Sequence, residues 1–437
     1  MKFNKWIGLL AGGVMALGMT MTASAATEIT FWHAMGGVNG EVLQSIVDDF
    51  NASQDEVHVN TEYQGSYDDT ITKLKAAIQS NEGLPDITQM YDIGTKFMYD
   101  SGAALPVEDM FESTGYEKGT VMDVITSYYS VDGKQWSMPF NVSTPMLYYN
   151  KDAFAEAGLD PETPPKTYEE VLECAKALVE SGALPNGYSQ AIYGWFFEQQ
   201  LAGLNLTYGN NDNGRSAPVT AVEFDSNGGG EKIYQMWKDM YDSGYFQDYG
   251  TTTADTQTAF FAGDVGIIIE STAILKNAIN SSYFEVGAGY FPRFEGSEDG
   301  GVIIGGASLW MLNTGNDENQ DAAWKFIEYT TQPEVQAKWS MGTGYFAINE
   351  AAYELDEMKA YIEEYPGFGI AVQQLKDSPI NAYTAGVLSG VATESRLAFQ
   401  DLVPLVYDGS LSPADATAQL AATANAAIEN YNASTGQ

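Results

Sequence analysis

Apolar and polar positions change period several times in the first hundred residues, and each change marks an element. Glu28-Ile29-Thr30-Phe31-Trp32-His33 alternates with period two, the pattern of a half-buried strand. Past Gly36-Gly37 the period lengthens, and Leu43, Ile46, Val47 and Phe50 stand at i, i+3, i+4 and i+7, one apolar helix face. Val57, Val59, Thr61 and Tyr63 return to alternation. Ile71, Leu74 and Ile78 mark a second helix, and 87–90 a third strand before Tyr91-Asp92-Ile93-Gly94. A β-α-β-α-β order predicts a doubly wound sheet, whose ligands sit at the carboxyl ends of strands. Those ends are the loops 32–37, 65–67 and 91–94.

The stretch 138–154, MPFNVSTPMLYYNKDAF, reads as a buried extended run and then a loop that starts a helix. Pro145 forces the residue before it into an extended conformation, and Met146-Leu147-Tyr148-Tyr149 suits a pleated surface. It is expected to pass between two lobes. A second apolar run, 265–269, ends in Glu270-Ser271-Thr272, and a third crossing is expected near Thr330. Several crossovers between two α/β lobes make a hinge with a cleft, a common place for small-molecule sites.

Downstream, Thr167 with Glu170 forms a capping box, and Val171, Cys174, Ala175 and Leu178 are the buried stripe behind it. Cys174 is read there as a small core residue. Tyr193-Gly194-Trp195-Phe196-Phe197 is an aromatic cluster that suits either core or a ligand's apolar face. The strand expected over 301–312 carries Gly305-Gly306, and glycine inside a strand marks a bulge or a close backbone approach. Helices are expected over 321–331, stopping at Pro333, over 392–403 with Arg396, and over 412–431, opened by Ser412-Pro413.

Composition then removes whole classes of function. The chain of 437 residues suits two domains, and its formal charge of -39 repels nucleic acid and anionic lipid. Lys2, Lys5, the apolar run 6–21 and Ala23-Ser24-Ala25 read as a cleavable export signal, 1–25, giving a mature chain from Ala26 in the periplasm. With Cys174 alone there is no intrachain disulfide and no lipidated cysteine. His33 and His58 lack companions at metal spacing, Asp225-Ser226-Asn227 lacks the other ligands of a calcium loop, and no P-loop or nucleophile elbow occurs. Carboxylate pairs are expected by chance among 59 acids. Neither an enzyme nor a cofactor is expected.

ITFWHAMGG at 29–37, FNVSTPMLYYNKDAFAEAGLDPETPPKT at 140–167, IIGGASLW at 303–310 and TGYFAIN at 343–349 together resemble the extracellular solute-binding proteins of ABC importers. NKDAF and PPKT are shared widely among sugar-binding relatives, whereas FWHAM, FNVSTP and IIGGASLW are similar to the glycerol-phosphate branch. The resemblance implies a two-lobe, type II periplasmic-binding-protein-like α/β fold, each lobe a doubly wound sheet, joined by a multi-crossover hinge. Residues 26–142 plus 273–330 are assigned to the first lobe, and 143–272 plus 331–437 to the second. It further implies a monomer that closes on its ligand and delivers it to ABC permease subunits.

Carried over position by position, the branch's ligand contacts fall on Tyr67, Asp92, Ser143, Ser271, Gly306, Tyr345 and Arg396, with Trp195 covering the ligand. The acid is Asp92 where the branch has a glutamate, and a second tryptophan position is Ile192. The residue types fit a small polyol phosphate: arginine's planar fork suits phosphate, a carboxylate accepts from adjacent hydroxyls, and Ser271 begins a helix whose N–H groups favour an anion. A neutral sugar or oligosaccharide is the alternative ligand, since sugars dominate the family and the net charge opposes anions.

Overall fold

A computed structural model describes residues 26–297 and 299–436, so the expected leader, 1–25, lies outside the described residues. Strands β1 (Thr27–His33), β2 (Val57–Tyr63) and β3 (Ile87–Tyr91) run parallel in the order β2-β1-β3, as the periodicity predicts. The helix Gly37–Ser53 buries Leu43, Ile46, Val47 and Phe50, the four residues of its apolar face. On β2, Val57 and Val59 are buried while His58 and Asn60 face outward. Further strands are β4 (Ala104–Leu105), the hairpin β5 (Ser130–Val131) with β6 (Lys134–Gln135), and β7 (Met138–Ser143).

The second sheet is built from β8 (Pro145–Asn150), β9 (Asn186–Gln190), β10 (Val265–Ser271) and β11 (Val286–Tyr290) in the order β11-β8-β10-β9. Helices cover both of its faces, which is why β8 and β10 read as continuous apolar runs rather than alternating ones. The chain then returns to the first sheet as β12 (Gly305–Leu312), antiparallel to β3, β4 and β7. Phe31, Phe140, Leu309, Trp324 and Trp339 pack the first lobe. Leu147, Phe154, Trp237, Ile267, Phe399 and Leu420 pack the outer layer of the second.

The expected central strand is two strands. β7 belongs to one lobe and β8 to the other, with Thr144 between them. Thr144 N–H donates to Thr272 Oγ1 at 3.1 Å, Thr272 N–H donates to Thr144 O at 2.8 Å, and Gln374 Nε2 donates to Pro145 O at 2.7 Å. The crossing segments are therefore tied to one another at the hinge.

Sheet membership divides the chain differently from the expected 273–330 and 331–437. β11 pairs with β8 through Val286↔Asn150 to Tyr290↔Met146, so the return to the first lobe falls between Tyr290 and Gly305. The helix Pro333–Thr343 packs on Gly37–Ser53, with Lys338 Nζ 2.6 Å from Ser45 Oγ, and Phe346 N–H donates to Val142 O at 2.9 Å. That segment stays with the first lobe. The sequence signals at Ser271 and Pro333 end elements without changing lobe, because pairing across a sheet is set by distant residues.

Smaller differences have local causes. Residues 301–304 form no strand, and Pro333 opens a helix rather than only ending one, since a first-turn proline lacks an N–H that would be unpaired anyway. Thr167 caps its helix by accepting from Glu170 N–H, but the Glu170 carboxylate takes the N–H of Lys166. Cys174 is half-buried at the edge of its core, and burial pushes its thiol up to about 11.

A cleft between the lobes as candidate binding site

On the first-lobe wall, Ser66 and Asp69 form a capping box at the start of the helix Tyr67–Ser80, and this fixes Tyr67. The Tyr67 ring stacks on Tyr91 with centroids 5.2 Å apart and planes 12° from parallel. Its hydroxyl accepts from Asn141 Nδ2 at 2.8 Å, Asn141 Oδ1 accepts from Gln89 Nε2 at 2.6 Å, and Gln89 Oε1 accepts from Ala34 N–H at 2.8 Å. Asn141 and Gln89 are wholly buried, so this chain of amides orients the tyrosine rigidly. The Tyr345 hydroxyl lies beside Tyr67 and Asn141, and its ring stacks on Trp339 at 5.7 Å. Burial raises the pKa of both tyrosines, so both hydroxyls keep their protons for donation.

Gly306 has φ +94°, and a Cβ there would lie 1.8 Å from the Asn141 carbonyl oxygen. No other residue type fits so close an approach. The β12–β7 register shifts between Ala307 and Ser308, the irregularity that paired glycines predict.

The second-lobe wall comes from two helices. Arg396, in Ala392–Tyr407, makes a fork to Glu198, in Trp195–Gly203: Nε donates to Oε1 and Nη2 to Oε2, both at 2.7 Å. Nη2 also donates across the cleft to Asp92 Oδ2 at 3.0 Å. Arg396 is 6% exposed, Asp92 6% and Glu198 7%, which rules out the solvated surface pair that Arg396 alone could suggest. Burial works against the charge on Arg396, but Glu198 and Asp92 outweigh it and hold its pKa well above the ordinary value. Burial pushes Glu198 up from the carboxylate range, against the pull of Arg396. Nη1 makes no hydrogen bond among the described residues.

Aromatic rings complete this wall. Trp195 lies over Gly305, where a Cβ would come 2.9 Å from its ring, and Gly194 lets the aromatic segment touch the Arg396 backbone. Tyr193, half-buried, stands in the field of Arg396, Asp92, Glu198 and Asp68. Tyr91 donates to Asp68 Oδ1 at 3.0 Å and lies 3.4 Å from Thr393 Oγ1 of the second lobe.

The structure thus joins Tyr67, Asp92, Tyr345, Gly306 and Arg396 in one network. Trp195 is linked to it through Gly305, and Ser143 through its pairing with Gly305. Ser271 stands at the hinge, where Ala273 O approaches Gly344, but its Oγ accepts from Ala273 N–H at 3.2 Å to cap a three-residue turn. Sequence reasoning missed Glu198 and Asn141. Each carried a weak signal, a polar residue inside an apolar helix (WFFEQQL) or a buried strand (PFNVS). It also missed Arg215, which donates through Nη1 to Tyr128 O at 2.9 Å and Ser130 O at 3.3 Å in the first lobe. Arg215 Nε donates to Gly386 O at 3.2 Å, and Nη2 to Ala385 O. Among the described residues there is no cluster that could hold a metal ion, and no helix is long and apolar enough to cross a membrane.

The family model described as bacterial extracellular solute-binding protein matches residues 45–366. The sn-glycerol-3-phosphate-binding periplasmic protein of Escherichia coli K12 is 32% identical over 430 residues, covering 96% of this chain and 97% of the relative. Among solved structures, UgpB from Mycobacterium tuberculosis in complex with glycerophosphocholine superposes with TM-score 0.78 at 19% identity, over 93% of this chain and 100% of that one. The cyclic α-maltosyl-1,6-maltose binding protein of Arthrobacter globiformis gives TM-score 0.76 at 25% identity, over 93% and 100%.

Proposed function

Since this chain belongs to the bacterial extracellular solute-binding proteins, non-catalytic receptors that serve ABC permeases for sugars and polyols, we propose that its own ligand is sn-glycerol-3-phosphate or a glycerophosphodiester. The observation that carries this reading is the meeting of Arg396, Asp92, Tyr67 and Tyr345 in one cleft between lobes. A buried guanidinium serves a phosphate, a carboxylate and tyrosine hydroxyls serve a diol, and Trp195 covers carbon. The near full-length likeness to a glycerol-phosphate receptor supports it. In this reading the receptor is an exported monomer that closes about the segments at Thr144 and Thr272.

One observation favours the alternative, a neutral sugar. The Arg396 charge is already balanced by Glu198 and Asp92, so the cleft holds no surplus cation for an anion. Calorimetry of the mature protein with sn-glycerol-3-phosphate, glycerophosphocholine and maltose separates the two. Heat from at least one glycerol phosphate is expected. Tight maltose binding with no heat from either phosphate refutes the proposal.

A further inference from the structure

We infer that Asn141 fixes the polarity of the tyrosine pair in the cleft, so that Tyr67 and Tyr345 meet the ligand as hydrogen-bond donors and an acceptor oxygen must sit against them. The inference rests on the reading of this cleft as the ligand site, but not on the choice between phosphate and sugar, since both carry acceptor oxygens. The polarity starts at a main-chain group. Ala34 N–H, just beyond β1, can only donate, and it donates to Gln89 Oε1 on β3 at 2.8 Å. Gln89 therefore presents its amide nitrogen to Asn141 on β7, and Nε2 donates to Asn141 Oδ1 at 2.6 Å. Asn141 in turn directs Nδ2 at the Tyr67 hydroxyl, 2.8 Å away. An amide nitrogen has two N–H groups to give and accepts nothing, so the phenol oxygen is the acceptor and its proton is turned away.

The Tyr345 hydroxyl stands beside the same amide and beside Tyr67. Whether the two phenols donate in sequence or separately, the last O–H points out of the pair and toward the ligand. Neither amide can turn over to relieve this. Gln89 and Asn141 are both 0% exposed, and Gly306 closes β12 over Asn141 so tightly that a Cβ would lie 1.8 Å from its carbonyl oxygen and 3.4 Å from Nδ2. Flipping either side chain would set N–H against N–H or oxygen against oxygen in a fully buried site, where an unsatisfied polar group is costly. The charged groups facing the pair are Asp92 from the end of β3, whose field acts on Tyr67, and Arg396 of the second lobe, which is bonded to Asp92. Asn141 is thus a positioning residue, which acts on the ligand through the tyrosines.

Gln89→Glu tests this from a wholly buried position. The new carboxylate still accepts from Ala34 N–H but has no N–H to give, so Asn141 turns Nδ2 toward it and Oδ1 toward Tyr67, which then donates inward. Gln89→Met removes the same bonds without reversing anything. Calorimetry at pH 7.5 with sn-glycerol-3-phosphate, glycerophosphocholine and maltose reads the affinity of each probe that binds the wild type. Gln89→Glu should weaken that probe about thirtyfold or more and Gln89→Met about fivefold or less, one decade per about 1.4 kcal/mol. At pH 5.5 part of the loss, relative to the wild type at the same pH, should return in Gln89→Glu alone, as the buried carboxyl takes a proton and can donate again. Tyr67→Phe combined with Tyr345→Phe keeps both stacked rings, and it should cost about tenfold or more and make Gln89→Glu nearly silent. Equal losses in Gln89→Glu and Gln89→Met, or no recovery in acid, overturn the inference, since those are the marks of a structural role. If Gln89→Glu does not fold, the double tyrosine change decides alone, and unchanged affinity there overturns the inference. No heat from any probe refutes the cleft as the ligand site and the inference with it, whereas the expected order of variants on maltose alone upholds the inference and refutes the phosphate ligand.

Discussion

Replacing Arg215 by methionine removes a cationic tie between the lobes while keeping most of its apolar stem. Its guanidinium spans from Tyr128 O and Ser130 O in the first lobe to Gly386 O and Ala385 O in the second, and it stands 5.2 Å from the Tyr128 ring centroid. Burial pushes its pKa down to about 10, so it remains charged at neutral pH. Opening the cleft would break the two bonds into the first lobe and hand both carbonyls and the guanidinium to water. Charge-assisted bonds contribute roughly 1.5–3 kcal/mol each when truncated, and much of that is recovered by solvation. A net bias of about 2 kcal/mol toward the closed form is therefore expected, or about 30-fold in the open–closed equilibrium. Because the tie does not touch the proposed contacts, Arg215→Met should weaken every ligand by a similar factor. Calorimetry, with small-angle scattering of the ligand-free form, measures both consequences. A folded Arg215→Met protein with unchanged affinity and unchanged radius of gyration would show that Arg215 is not a latch.

Arg396→Ala should lower stability by about 3–5 kcal/mol in urea denaturation, because it strands Glu198 as an uncompensated buried acid, whereas Arg396→Met with Glu198→Leu should recover most of the loss. A cost under about 0.5 kcal/mol for the single change would refute the burial argument. Gly306→Ala should fail to fold or lose about 3 kcal/mol or more, since its Cβ would meet the Asn141 carbonyl at 1.8 Å in a positive-φ position; a wild-type melting curve would contradict this. Burial lowers the His33 pKa from 6.5 to about 4. The folded value lies below the unfolded one, so the stability His33 contributes is present above pH 6.5 and is lost as pH falls toward 4, by at most roughly 3 kcal/mol. His33→Asn should flatten that part of the stability–pH curve, and an identical slope in both proteins would discount the histidine.

The local elements were legible because their signals are local. Leu43, Ile46, Val47 and Phe50 declare a helix face, Val57 and Val59 a strand face, and Ser412-Pro413 a helix start whose Ser412 accepts from Asp415 N–H at 3.1 Å. The paired glycines announced a close approach, and Gly306 makes one. Likeness to a family also picked Tyr67, Asp92, Tyr345 and Arg396, which the structure brings together. The lobe boundaries were not legible in the same way. β11 follows a plausible crossing at Ser271 yet pairs with β8, more than a hundred residues earlier, and nothing within its own five residues specifies that partner. The charge state of the cleft was equally hidden, because Glu198 and Arg396 lie 198 positions apart and Arg396 and Asp92 lie 304 apart. A side chain's chemistry is written at its position, but its electrostatic partner is decided by which helices and strands pack together. The chain thus declares a solute receptor by its local patterns, and only the meeting of two lobes sets its buried arginine between Glu198 and Asp92.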